Sequence, residues 1–158
     1  MTFNYTVVNK VSAYFAFILA TLYMIGCSGL SKEQKQNKEL EKLALEVMEV
    51  HDRSMPNHGK LFGLKKKLFK IQECYKDSAV LNEVNETLLD IEMSDKDMMD
   101  WMHTYQAPED FLPFEEKKAY YIEEKKAIEN VESFMNQTMS NANQLINTYP
   151  IKKECTGF

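Results

Sequence analysis

The sequence predicts an all-α protein, an antiparallel up-down-up three-helix bundle with long, coiled-coil-like helices. Three observations predict it. Apolar residues recur at alternating steps of three and four along most of the chain, the spacing of one helix face. Five glycines and four prolines in 158 residues are too few for a turn-rich β fold. Finally, the periodic part is interrupted twice, at "KDS" near residue 77 and at "QAPEDFLPF" (106–114), which leaves three helical segments joined by short connections.

The first helix is expected from about 32 to 76. Leu40, Leu43, Val47 and Val50 open a seam that runs on through Leu61, Leu64, Leu68, Ile71 and Tyr75. Ser54 and Asn57 make a polar gap in that heptad pattern. Pro56 lacks a backbone donor and its ring crowds the carbonyl of Asp52, so a kink is expected there. Asp77 or Ser78 is a suitable N-cap for the second helix. Its seam reads Val84, Leu88, Ile91, Met98, Met102 and Tyr105, with Asp95 where an apolar residue belongs. The third helix starts at Glu115 and carries Tyr121, Ile128, Val131, Met135, Thr138, Ala142, Leu145 and Tyr149 before Pro150 ends it.

Ahead of the bundle lies a segment of a different kind. Residues 1–26 hold one charge, Lys10, then an apolar run from Val11 to Ile25 that ends in "MIGC". The run fits the hydrophobic region of a secretory signal, and the last residues resemble a bacterial lipobox. The expected organisation is a lipoprotein signal peptide over 1–26, lipid on Cys27, a tether over 27–32, the bundle over 33–149 and a tail over 150–158. A short transmembrane anchor with an incidental cysteine is the alternative. The expected location is the bacterial cell envelope, tethered to a membrane outside the cytoplasm. In that oxidising setting Cys74 and Cys155 form a candidate disulfide, the alternative being two independent thiols.

A formal net charge of −5 argues against nucleic acid as a partner, where a basic face is required. The stretch "FEEKKAYYIEEKKAIE" (114–129) alternates acid and base as an exposed helix does, and "LKKKLFK" (64–70) reads as a solvated basic face. No nucleophile–base arrangement, phosphate-binding glycine loop or paired-carboxylate pocket is visible, so an enzyme is not expected.

One stretch does not suit a plain helix: "HDRSMPNHG" (51–59). With a turn near 77, antiparallel pairing sets positions 51–58 opposite about 96–103, within "DKDMMDWMH" (95–103). His51, Met55 and His58 then face Met98, Met99, Met102 and His103, with Asp52 and Asp95 near enough to orient an imidazole. Pairs separated by three or four residues share a helix face. Thioether and imidazole together suit a soft ion, copper(I) first, and a haem held by a His/Met pair is a smaller branch. The plainer reading makes the methionines core filler, the histidines solvated, and Ser54, Asn57 and Asp95 register-fixing polar positions.

"VMEVHDRSMPNHGKLFGLKKKL" (47–68) and "DKDMMDWMHTY" (95–105) together resemble a group of small bacterial lipoproteins with an HD-x-x-MP element and a later MMDWM element, usually labelled "viral A-type inclusion protein". The label reflects coiled-coil similarity and implies no viral role. The resemblance implies the bundle fold and the envelope location, and brings no activity. It places His51, Met55, Met98, Met99 and Met102 in the shared motif and makes His58 an optional ligand at best. Two classes of function follow: an interaction or structural lipoprotein with an envelope protein as partner, and a copper-binding or copper-handling lipoprotein.

Overall fold

The structure, a computed structural model, describes residues 30–151. The predicted signal peptide, Cys27 and Cys155 lie outside the described residues. Three helices account for nearly all of the rest: α1 (Lys32–Cys74), α2 (Ser78–Thr104) and α3 (Phe114–Thr148). Among the described residues no helix is long and apolar enough to cross a membrane.

The chain divides into two units at Lys38/Glu39. In the first, α1 is started by a capping box. The Gln34 amide donates to Ser31 Oγ at 3.2 Å, and the Ser31 amide donates to Gln34 Oε1 at 2.9 Å. Two of the amides a helix start leaves unpaired are thereby satisfied.

The second unit, from Glu39 onward, is a three-helix bundle. Asp77 is the N-cap of α2, its carboxylate accepting from the amides of Ala79 (2.9 Å) and Val80 (3.3 Å). Before α3, Pro113 brings the backbone to an extended ψ of 150°, and Glu115 and Glu116 complement the positive end of the helix. In the connection between them, Tyr120 Oη donates to the Gln106 carbonyl and accepts from the Gln106 amide.

Two sets of cross-helix contacts fix the directions. Lys65–Glu92, Gln72–Asn85 and His58–Asp95 pair residues on either side of the turn that follows Cys74, the later partner falling as the earlier one rises, so α2 runs antiparallel to α1. Glu39–Lys118, Glu46–Lys125, Arg53–Glu132 and Asn57–Asn136 all keep one separation, 79 residues, so α3 runs parallel to α1. The topology is up-down-up, as the three periodic segments predict.

The core follows a seven-residue spacing on every helix. On α1 it holds Val47, Val50, Ser54, Leu61, Leu64, Leu68 and Ile71. On α3 it holds Ile128, Met135, Thr138 and Ala142. Seven residues are nearly two helical turns, so each seam stays on one face. Polar residues inside the seam are all satisfied: Ser54 Oγ donates to the Val50 carbonyl at 2.7 Å, and Ser94 Oγ donates to Thr138 Oγ1 at 3.1 Å. Pro56 does not break α1, which continues through it to Cys74. Its ring side is exposed to solvent.

At the other end, the Tyr75 and Tyr149 rings meet edge to face at 5.4 Å, and Tyr75 Oη donates to the Pro150 carbonyl at 3.1 Å. These contacts bring the chain after α3 beside the end of α1. Cys74, in that corner, is disulfide-bonded. Cys155, the partner expected from the sequence, lies outside the described residues.

Candidate functional site

Each polar side chain of the His51–His58 stretch is engaged, and the helix period explains how. His51, His58, Lys65 and Gln72 are seven residues apart and form the edge of α1 that faces α2. Glu39, Glu46 and Arg53, also seven apart, form the edge that faces α3. Arg53 closes a two-point clamp on Glu132, Nε to Oε1 at 2.7 Å and Nη2 to Oε2 at 2.8 Å. Asn57 Nδ2 donates to Asn136 Oδ1 at 3.1 Å, and Lys60 Nζ donates to Asn57 Oδ1 at 2.9 Å. His51 Nδ1 lies 2.9 Å from Asp52 Oδ1, and its ring centroid is 5.7 Å from that of Trp101. His58 Nε2 contacts the Asp95 carboxylate across the α1–α2 boundary. Met55, half-buried, packs against the core.

The facing element divides into inward and outward residues. Met98 is 0% exposed and Trp101 6%, whereas Met99 and Met102 are 39% and 40% exposed, and His103 is exposed as well. The α2 seam therefore runs Ile91, Ser94, Met98, Trp101, a correction to the expected step from Met98 to Met102. A seven-residue seam advances by three after Met98, which selects Trp101. By the same rule Ser94 takes the seam and Asp95 falls on the edge, free to reach His58.

The sequence-predicted cluster is thus brought together in parts. His51 with Asp52 and Trp101 makes one group, and His58 with Asp95 makes another about 10 Å along the helix axis, seven residues at 1.5 Å each. Met98 lies in the core, while Met99, Met102 and His103 face away from it. Both acids proposed to orient an imidazole do contact one, Asp52 on His51 and Asp95 on His58. Among the described residues, no group of three or more His, Cys, Asp or Glu side chains is placed to hold a metal ion.

The chain matches no family model, no curated protein and no solved structure. What it does must be read from the packing of these residues.

An aromatic ladder extends from His51 toward the α2–α3 connection. Trp101 stacks on Tyr105 at 4.9 Å, Tyr105 on Tyr120 at 6.4 Å, and Tyr120 meets Tyr121 edge to face at 5.6 Å. Trp101 Nε1 donates to Glu124 Oε2 at 2.9 Å, which ties α2 to α3. Burial pushes the Tyr105, Tyr120 and Tyr121 hydroxyls above the ordinary phenol range. They stay protonated at neutral pH and serve as packing groups, and Tyr120 also donates to the Gln106 carbonyl. Trp101 and Tyr105 are four residues apart and share a helix face, but periodicity gave no sign of their link to Tyr120 and Tyr121, which lie beyond the α2–α3 connection. The seven-residue spacing of Glu39, Glu46 and Arg53 was the signal that could have revealed the α3-facing ion pairs.

The ion pairs make stability depend on pH. The Arg53 hydrogen bonds hold the Glu132 carboxyl below the usual glutamate range, and the Lys125 hydrogen bond does the same for Glu46. A depressed carboxyl stabilises the fold above its unfolded-state pKa and loses that contribution as pH falls through the folded-state value. The two pairs should therefore contribute fully at neutrality, and the thermal midpoint should fall on the acid side as their carboxyls protonate below the usual glutamate range. Glu132→Gln should remove part of that acid-side fall, which thermal melts across the pH series will check.

Proposed function

We propose that the chain is a lipid-anchored, non-enzymatic lipoprotein of the bacterial envelope whose coiled-coil-like bundle acts as a structural or interaction module. One observation carries the reading. The residues of the unusual stretch, Arg53, Asn57, His51 and His58, contact α2 and α3 and so serve to hold three helices in one register. Side chains used in this way favour a scaffold over a reaction centre. A lipobox-like "MIGC" at 24–27 supplies the anchor, with Cys27 as the lipid-bearing residue. The resemblance to HD-x-x-MP/MMDWM lipoproteins fits the same reading, since its two elements are the segments that meet through His51–Trp101 and His58–Asp95.

The copper reading draws no support from these placements. Met98 lies in the core while Met99, Met102 and His103 are exposed.

The experiment is metabolic labelling of the full chain with a radioactive fatty acid in a bacterium, beside Cys27→Ser. We expect label and membrane association in the wild type and loss of both in the variant. An unlabelled wild-type chain, or label that survives Cys27→Ser, would overturn the anchor. The same wild-type protein titrated with Cu(I) against a competing chelator should show no tight equivalent, and one such equivalent would reinstate copper handling.

A further inference from the structure

The parallel helices α1 and α3 finish at the same end of the bundle, and neither finish carries a strong cap. Neither helix has a glycine just past its last turn or a basic side chain within it. What holds the two ends is the corner between them. The Tyr75 ring packs edge to face on Tyr149, Tyr75 Oη donates to the Pro150 carbonyl, and Ile151 packs against the core. Cys74 sits in this corner, half-buried and disulfide-bonded.

The chain holds three cysteines, so within one copy the bond joins Cys74 to Cys27 or to Cys155. Helix length excludes the first. From Glu39, where the bundle unit begins, α1 rises about 52 Å to Cys74, while the twelve residues from Cys27 to Glu39 reach no farther than about 43 Å when fully extended. A disulfide spans only about 6 Å between Cα atoms, which leaves Cys27 short. Helix register selects Cys155. Glu39, Glu46 and Arg53 lie on the α3-facing edge at seven-residue steps, and three further steps reach Cys74. The constant offset of 79 residues that pairs this edge with α3 carries Cys74 to position 153, two residues short of Cys155. The four residues from Ile151 to Cys155 reach up to about 14 Å, and Tyr75, next to Cys74, already touches Pro150.

We propose that Cys74 and Cys155 are joined, and that their disulfide is a redox-sensitive latch fastening the last turn of α3 to the end of α1. It forms by thiol–disulfide exchange. One thiolate attacks the disulfide of an oxidised dithiol donor, and a mixed disulfide forms as one donor sulfur leaves. The second thiolate attacks that mixed disulfide and releases the other donor sulfur. The chain gives up two electrons and two protons, and the donor takes them up as two thiols. Bonds of this kind persist in oxidising compartments, so the latch supports an envelope location without using the lipobox, and it leaves Cys27 outside the bond. The latch itself does not rest on the anchor reading.

Mass spectrometry of the full chain tests the pairing, with the chain recovered from a bacterium and its thiols blocked by N-ethylmaleimide before digestion. Trypsin should release IQECYK (71–76) linked to ECTGF (154–158), and dithiothreitol should separate the two. Cys74 found as the maleimide adduct, or linked to the Cys27 peptide, overturns the pairing. So does a linked pair from a chain that migrates as a covalent dimer without reductant. The pair should survive Cys27→Ser, the variant that reads the anchor, so failure of one reading is told from failure of the other. Hydrogen exchange tests the latch. On reduction the amides of Asn147–Tyr149 should exchange at least tenfold faster, while those of Ile128–Met135 change less than twofold. Cys155→Ser should match the reduced chain and ignore reductant. Exchange at the end of α3 that reduction leaves unchanged overturns the latch.

Discussion

Trp101→Ala should destabilise the bundle by about 3–5 kcal/mol, the range for removing a buried large aromatic. Trp101 is almost fully buried, stacks on Tyr105, touches the His51 ring and donates to Glu124. Its truncation leaves a cavity where all three helices meet and deprives the Glu124 carboxylate of its indole donor. Urea denaturation monitored by circular dichroism will measure the loss. Trp101→Phe keeps an aromatic face against Tyr105 and gives up the donor. It should cost less, with about 1 kcal/mol coming from the lost hydrogen bond. Equal losses for the two variants would mean that the donor, not the packing, carries the residue's role.

The second large effect separates the methionines. Met98→Ala should cost about 3 kcal/mol, because Met98 is wholly enclosed and its neighbours collapse only partly into the space. Met99→Ala and Met102→Ala should each stay within about 0.5 kcal/mol, as exposed substitutions do. Three methionines of one motif thus divide into one core residue and two surface residues. If all three cost the same, the assignment of Met98 to the seam and Met99 and Met102 to the outside is wrong.

The bundle itself was legible in the sequence because its information is local. A seam at steps of three and four reports one helix face, and two interruptions report two turns. The α1 and α3 seams stand where that spacing puts them, from Val47 to Ile71 and from Ile128 to Ala142. The α2 seam was harder to read. Ser94 and Thr87 are small polar residues that look like surface positions, yet both are buried, Ser94 bonding Thr138 and Thr87 the Glu83 carbonyl. With Ser94 passed over, Met102 looks as good a seam residue as Trp101.

The histidine–methionine stretch was legible in its location and only partly in its role. A turn near 77 was enough to set His51 and His58 against residues 95–103. Which way each side chain turns depends on one-position differences around the helix, and these decide between a shared site and two separate contacts. His51 and His58 sit on the edge beside the seam, so each meets its own partner on α2. The α3-facing edge had a signal in the seven-residue spacing of Glu39, Glu46 and Arg53, but the partner each one meets depends on the offset between two helices that are far apart along the chain. Arg53–Glu132 and Glu46–Lys125 become recognisable as one series only when the separation of 79 residues is known.

The central claim is that the His51–His58 stretch locks α1 in register with its neighbours. A charge-swap cycle on the Arg53–Glu132 clamp tests it most directly, read as thermal midpoints of Arg53→Glu, Glu132→Arg and the double variant. Each single variant sets two like charges together at the clamp and should lower the midpoint by several degrees. The double variant restores an opposite pair at the same place and should recover most of the loss. Single variants that melt like the wild type, or a double variant no better than the sum of the two, would contradict the register lock.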